Sequence, residues 1–243
     1  MDTMNSSRFS VQRAADRATF DHGWLQTSHS FSFAGYHDPR NTNWGALRVF
    51  NDDVVQPGQG FGTHPHRDME ILTYVLEGEL EHRDSMGNVG VVAPGGVQYL
   101  SAGTGITHSE YNHSQSQPVH FVQMWVLPRA ANLAPRYGQV DFTLADRLDR
   151  WLTIASGEAG IEAPIAIWQD ATASVARLER ARLVKSVRAG RYAFLFVASG
   201  TALVSGETLR AGDAARIAGP FEIDASGAAE IVLWDVPPAG AGG

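Results

Sequence analysis

Polar and apolar residues trade places over short distances along this chain, and the changes follow a period of two far more often than the 3.6-residue period of a helix. Residues 28–33 (SHSFSF) alternate, as a strand with one buried face does. Residues 36–43 (YHDPRNTN) are turn-forming and read as an exposed loop. Residues 47–55 contain a short strand, and QPGQG at 56–60 turns the chain. Residues 69–76 are apolar and rich in β-formers, and they end at Glu77-Gly78. A polar strand follows at 79–84, then a turn at 85–88, a strand at 89–92 and an APGG turn at 93–96. Residues 97–100 form the next strand, 101–105 turn again, and a strand around 108–110 leads on to the almost wholly apolar strand 120–127. Many short strands joined by glycine turns predict an antiparallel sandwich or barrel.

Residues 128–150 are polar, contain proline and have weak periodicity, which predicts an inter-domain connection with room for one helical turn. Beyond it the strand character returns at 166–168, 173–178, 181–187, 191–197, 201–204, 221–224 and 230–235, with turns at 198–200 and 205–206 and a strand running into a glycine turn at 209–213. The expected organisation is a first domain over 1–130, a connection over 131–150, a second domain over 151–236 and a flexible tail over 237–243. Strand, glycine turn and strand recur in both halves, at 76–80 and 196–202, a pattern that suggests duplication.

Composition narrows the function classes. The chain has 243 residues, 44% of them hydrophobic, enough for one large core or two smaller ones. A net charge of −7 with no block of like charge argues against a broad nucleic-acid-binding face. The absence of cysteine excludes disulfides, thiolate ligands, iron–sulfur clusters and cysteine nucleophiles. The polar N-terminus has no apolar signal-peptide core, and no apolar run approaches the roughly 20 residues that span a bilayer, so a cytoplasmic protein without a membrane partner is expected.

All nine histidines lie at or before His120, so a histidine metal site can be built only in the first half. Two pairs stand out, His64 with His66 and His108 with Glu110. Each is spaced i, i+2, and a strand points such a pair to one face. If the two strands face each other inside a barrel, three imidazoles and a carboxylate converge on one ion. That donor set suits Fe(II), Zn, Mn, Ni or Cu. Glu70 shares strand parity with His64 and His66 and competes with Glu110 as the fourth ligand, or serves as its outer partner. The unpaired histidines 22, 29, 37, 82, 113 and 120 read as surface or structural residues, and Arg67 and Asp68 as solvated. Trp24, Phe31, Phe33, Trp125 and Trp168 read as core, a few of them lining an apolar mouth.

The segment 58–112 resembles the pirin family of the cupin superfamily. It carries G-x5-H-x-H-x3-E as Gly58, His64, His66 and Glu70, then Gly78, then H-x3-N as His108 and Asn112. DHGWL at 21–25, FSFA at 31–34, SAGTGI at 101–106 and the VPP ending at 236–238 are also similar. The resemblance implies an all-β bicupin: two antiparallel β-barrel (jelly-roll) domains facing each other, with metal only in the N-terminal one. It implies ligands at His64, His66, His108 and Glu110, usually with iron.

Shorter bacterial pirins are similar to quercetin 2,3-dioxygenases, which implies a small flavonol-like aromatic substrate and O2. The metal would then act on the 3-hydroxyl, Glu110 would serve as general base, and the central ring would open with loss of carbon monoxide. Animal pirins look like iron-dependent transcriptional co-regulators, which implies an alternative: a metal- or redox-sensing module that docks onto a protein partner through a loop such as 36–43. A sugar-binding or isomerase cupin is a third reading, and an apolar cavity beside the metal would disfavour it.

Overall fold

Valine, isoleucine and aromatic residues concentrate in short runs bounded by glycine, proline and aspartate turns, and these runs fold as strands. The computed structural model describes residues 8–240, so residues 241–243 of the expected tail lie outside the described part. The first strands in chain order are β1 (Phe9–Gln12), β2 (Ala18–Asp21), β3 (Leu25–His29), β4 (Leu47–Val55), β5 (Gly60–His66) and β6 (Glu70–Glu77). Next come β7 (Leu80–Asp84), β8 (Val89–Val92), β9 (Val97–Ser101), β10 (Ile106–Asn112), β11 (Val119–Val126) and β12 (Arg136–Val140). A one-turn helix, α1 (Leu144–Arg147), precedes β13 (Leu152–Ser156), β14 (Ile165–Ala166), β15 (Thr172–Leu178) and β16 (Leu183–Val187). The chain closes with β17 (Tyr192–Val204), β18 (Glu207–Arg210), β19 (Ala214–Ala218) and β20 (Phe221–Val236).

In the first half, a seven-stranded sheet in the order β12-β9-β6-β11-β4-β3-β2 packs against a four-stranded sheet, β5-β10-β7-β8. Val55, Val75 and Phe121 from the larger sheet meet Leu80 and Val92 from the smaller one and close one end of this sandwich. The second half, joined by β1, forms one nine-stranded sheet, with β17 and β20 as its long central pair, wrapped around aliphatic side chains such as Leu195, Val197, Ile217 and Ile231. The two halves are the two β-barrels of a bicupin.

The largest core lies between the halves. The outward-facing Phe50, Leu72, Tyr74, Val122 and Met124 pack on Phe194, Phe196, Val232 and Trp234. The Phe50 ring centroid is 5.0 Å from that of Phe194 and 4.8 Å from that of Phe196. The Trp234 Nε1–H donates to Met124 Sδ at 3.0 Å. This interface explains why β6 and β11 read as nearly continuous apolar runs: one face lines the barrel and the other lines the interface.

Several expected boundaries are corrected. Phe9–Gln12 does not join the first domain; it pairs with Ala214–Ile217 in the C-terminal sheet, where the Phe9 ring stacks on Phe221 at 5.6 Å. Within the expected connection, Arg136–Val140 is the edge strand of the seven-stranded sheet, and only α1 behaves as the helical turn. The alternation at 28–33 ends as a strand at His29, because Ser32 turns its backbone and hydroxyl to the carbonyls of Asp38 and Asn41. The expected turn at 198–200 is a β-bulge inside the continuous strand β17. Gly200 (φ +79°) admits the Ala228 carbonyl so closely that a Cβ would collide with it. The segments 221–224 and 230–235 likewise merge in β20. At the start of the tail, the Pro237 carbonyl accepts the Ala46 N–H at 2.9 Å. No helix among the described residues is long and apolar enough to cross a membrane.

Candidate metal centre

The two ligand-like pairs do not face each other across the barrel. They lie side by side on neighbouring strands of the four-stranded sheet, with His108 directly opposite His64. The register then shifts, and Glu110 stands opposite Phe61, so β5 carries one extra residue in a bulge. The bulge brings the Gly62 carbonyl under the His64 ring, where it lies 2.7 Å from Nδ1. With the proton on Nδ1, the Nε2 lone pair of His64 is free. The ring centroids of His64, His66 and His108 are 4.5–4.8 Å apart, and one nitrogen from each lies within 4.8 Å of the others.

On the other side of β10, His82 and Asp84 pair with Glu110 and His108. Asp84 accepts the N–H groups of Met86 and Asn88 and the Asn88 side-chain amide at 2.8–3.0 Å. Burial raises the Asp84 pKa, but the Asn88 contacts, His82 and the Met86 N–H outweigh it and hold the carboxyl below the usual range. His82 Nε2 lies 3.2 Å from this carboxylate, and His82 Nδ1 lies 3.3 Å from His108 Nδ1. The set is satisfied when His82 donates to Asp84 and accepts the His108 Nδ1–H. The His108 lone pair then sits on Nε2, a buried atom without a hydrogen-bond partner. Tyr137 stacks on His82 at 4.1 Å and holds the relay in plane.

Glu110 is fully enclosed and accepts the side-chain amides of Gln98 and Gln123, the latter at 2.9 Å. It groups with His82 and His108 within 4.8 Å, rather than in the same close set as His64 and His66. It shares with those two residues the wall of a cavity of about 320 Å³. Leu25, Phe33, Phe61 and Trp125 make that cavity largely apolar, and the Trp125 ring meets His66 edge-on at 4.8 Å. Burial raises the Glu110 pKa, opposed by His82 and the Gln123 amide.

Glu70 is not part of this site. Its carboxylate accepts the backbone N–H groups of Trp168 and Gln169 at 2.8–2.9 Å and ties the first barrel to the second. Glu70→Ala is therefore expected to leave metal content intact and to cost about 2–3 kcal/mol through the unpaired amides. Parallel metal analysis and thermal melts check this, and loss of metal with an unchanged melt would return Glu70 to the site.

Two further readings are narrowed. His82 and His29 take the structural rather than the surface alternative: both are buried, His82 anchors His108, and His29 lines the cavity. His82 and Asp84 carried the same i, i+2 signal as the chosen pairs. Gln98 and Gln123 were also detectable, as lone polar residues in apolar strands. Phe33 and Trp125 line the cavity mouth, whereas Phe31 belongs to the inter-domain core and the Trp168 ring stacks under the Arg136 guanidinium.

The residues fit a transition metal. Burial, followed by the neighbouring imidazoles, lowers the pKa of His66 and of His108 to about 3, so both rings are neutral and offer lone pairs at neutral pH. The unpartnered Nε2 of His108 points to an electrophile as its missing partner.

A family profile described as Pirin matches residues 9–126, and one described as Quercetinase C-terminal cupin domain matches residues 153–236. A putative quercetin 2,3-dioxygenase of Mycobacterium tuberculosis (strain ATCC 25618 / H37Rv) is 46% identical over 233 residues, covering 93% of this chain and 94% of that protein. The chain belongs to the pirin family. The quercetin 2,3-dioxygenase of Escherichia coli (strain K12) is 41% identical to this pirin, over 94% of this chain and 98% of that one. The bacterial pirin YhhW from Escherichia coli, in complex with nickel(II), superposes with a TM-score of 0.88 at 39% identity, covering 95% of this chain and all (100%) of that one. A quercetin 2,3-dioxygenase from Acinetobacter baumannii shares the fold of this pirin, with a TM-score of 0.77 at 17% identity.

Proposed function

We propose that this pirin is a metal-dependent dioxygenase that opens the central ring of a flavonol with O2. The observation that carries the reading is the unpartnered, buried Nε2 of His108, grouped with His64 and His66, two residues that line an apolar cavity together with the buried carboxylate of Glu110. His64, His66 and His108 hold the metal, with Glu110 as fourth ligand. Iron is the metal the family resemblance implies, and nickel(II) is the ion in the YhhW structure. A bound divalent metal supplies Lewis acidity that lowers the pKa of a substrate hydroxyl.

The protein's own groups do the rest. Glu110, held by Gln98 and Gln123, takes the 3-hydroxyl proton. Phe33, Phe61 and Trp125 flank the aromatic rings and keep water from the reacting face. The flavonol itself is taken from the names of the relatives.

The test is anaerobic reconstitution with Fe(II), Mn, Ni, Cu or Zn, followed by O2 uptake and loss of flavonol absorbance. Metal-dependent turnover is expected, and Glu110→Gln is expected to lower it by about 100-fold or more. Stoichiometric metal without turnover would favour the sensing module over the enzyme.

A further inference from the structure

The cavity has a second polar wall that the proposed chemistry does not use. On the inner face of the seven-stranded sheet, Asn51 on β4 pairs with Gln123 on one side and with His29 on the other. Asp53 lies two residues along β4 on the same face. Asn51, Asp53 and His29 are only 3%, 3% and 5% exposed, and all three line the cavity among Leu25, Phe33, Phe61 and Trp125. Asn51 Oδ1 and His29 Nδ1 are buried and have no protein hydrogen-bond partner, whereas Asp53 faces the Thr27 hydroxyl on the neighbouring strand. Native folds pair most such atoms, and here two unpaired acceptors share one wall with a buried carboxyl.

The wall is also placed at a defined distance from the reacting end. Gln123 holds Glu110, Asn51 is one strand further on, and His29 is two strands on. At the usual strand spacing these steps are about 5 and 10 Å, the reach of a fused-ring aromatic.

We infer that His29, Asn51 and Asp53 form a hydroxyl-recognition subsite, which takes the free phenolic O–H groups of an aromatic substrate at the end remote from the three histidines. The inference rests on the dioxygenase reading only for the identity of the occupant. The chemistry selects hydroxyl donors: Asn51 Oδ1 accepts, and His29, whose pKa burial lowers to about 4, is neutral with one ring nitrogen free to accept. Burial pushes the Asp53 carboxyl up to about 7, so it can meet a hydroxyl as acceptor or donor. An aromatic without hydroxyls at that end would strand Asn51 and His29, which makes the wall a specificity determinant.

The test uses metal-reconstituted protein held anaerobic so that no turnover occurs. Dissociation constants are measured for quercetin and for 3-hydroxyflavone, which keeps the 3-hydroxyl and lacks the others. The wild type is expected to bind quercetin at least about tenfold more tightly. In Asn51→Leu and in Asp53→Leu the preference is expected to fall to within about twofold, with 3-hydroxyflavone affinity changed by less than about threefold and with Tm equal to or above that of the wild type. Equal wild-type affinity for the two flavonols overturns the inference. So does a variant that loses both ligands equally with a fallen Tm, because the wall would then be structural. If neither flavonol binds, the flavonol reading fails, and ligand-observed NMR with resorcinol and toluene decides the subsite separately. A resorcinol preference that Asn51→Leu removes supports the subsite, and equal binding in the wild type overturns it.

Discussion

His108→Ala is expected to abolish tight metal binding while the barrel stays folded. His108 is 2% exposed, sits directly opposite His64 and carries the one buried imidazole nitrogen of the group that lacks a partner. Two imidazoles and a carboxylate would remain, in a site whose orientation was set through the Asp84–His82–His108 chain. Losing an outer partner alone costs 10–100-fold in metal affinity, so losing the ligand is expected to exceed about 100-fold. The fold survives because the register of β10 rests on its backbone ladders with β5 and β7, not on the imidazole. The metal-free protein loses about 1–3 kcal/mol, from the His82 Nδ1 left unpaired. Metal stoichiometry after dialysis, with circular dichroism on the same samples, checks both halves of this expectation. His113→Ala is the control, since the His113 side chain is exposed and meets Glu81 on the surface. Full occupancy in His108→Ala would sink the ligand assignment.

Phe50→Ala is expected to cost about 3–5 kcal/mol and to lower Tm by roughly 10 °C. The ring is fully buried and is gripped from the opposite barrel by Phe194 and Phe196, so the void would open in the middle of the inter-domain core. Neither barrel can close over it alone, because the walls belong to two different sheets. The three histidines lie on the other, four-stranded sheet of the N-terminal barrel, and metal affinity at 25 °C is expected to change little. A melt that moves by less than about 3 °C would show that the halves are held together chiefly elsewhere, for instance through Glu70 or β1.

How much of this was legible before the fold was known differs from element to element. The His64/His66 and His108/Glu110 pairs were readable because the side-chain period of a strand is local; spacing alone puts both members on one face. The same rule applied to His82 and Asp84, but their strand is polar and His82 read as a surface or structural residue. Only the pairing of β7 with β10 shows that its polar face is the inside of a barrel. Glu70 had the right parity and the wrong neighbours: its strand lies in the other sheet, and its carboxylate turns to the amides of Trp168 and Gln169, 98 and 99 residues away. The turn expected at 198–200 is a bulge because a glycine marks a bulge as readily as a reversal. At Gly78 (φ +73°) the chain does leave its sheet, whereas at Gly200 the pairing with β20 carries the strand through.

The sequence by itself determined the β class, the strand parity of the candidate ligands, the confinement of histidines to the first half and the family likeness. These follow from local periodicity, residue chemistry and a specific motif. The tertiary structure decided which parities face which, and so which carboxylate meets the histidines. It decided that Phe9–Gln12 serves the far barrel. It also placed Asn51, Asp53 and His29, three unremarkable residues in a polar-apolar alternation, together on the wall of one cavity. Strand pairing between distant segments sets all three outcomes, and that pairing depends on the whole chain's burial rather than on any window of it.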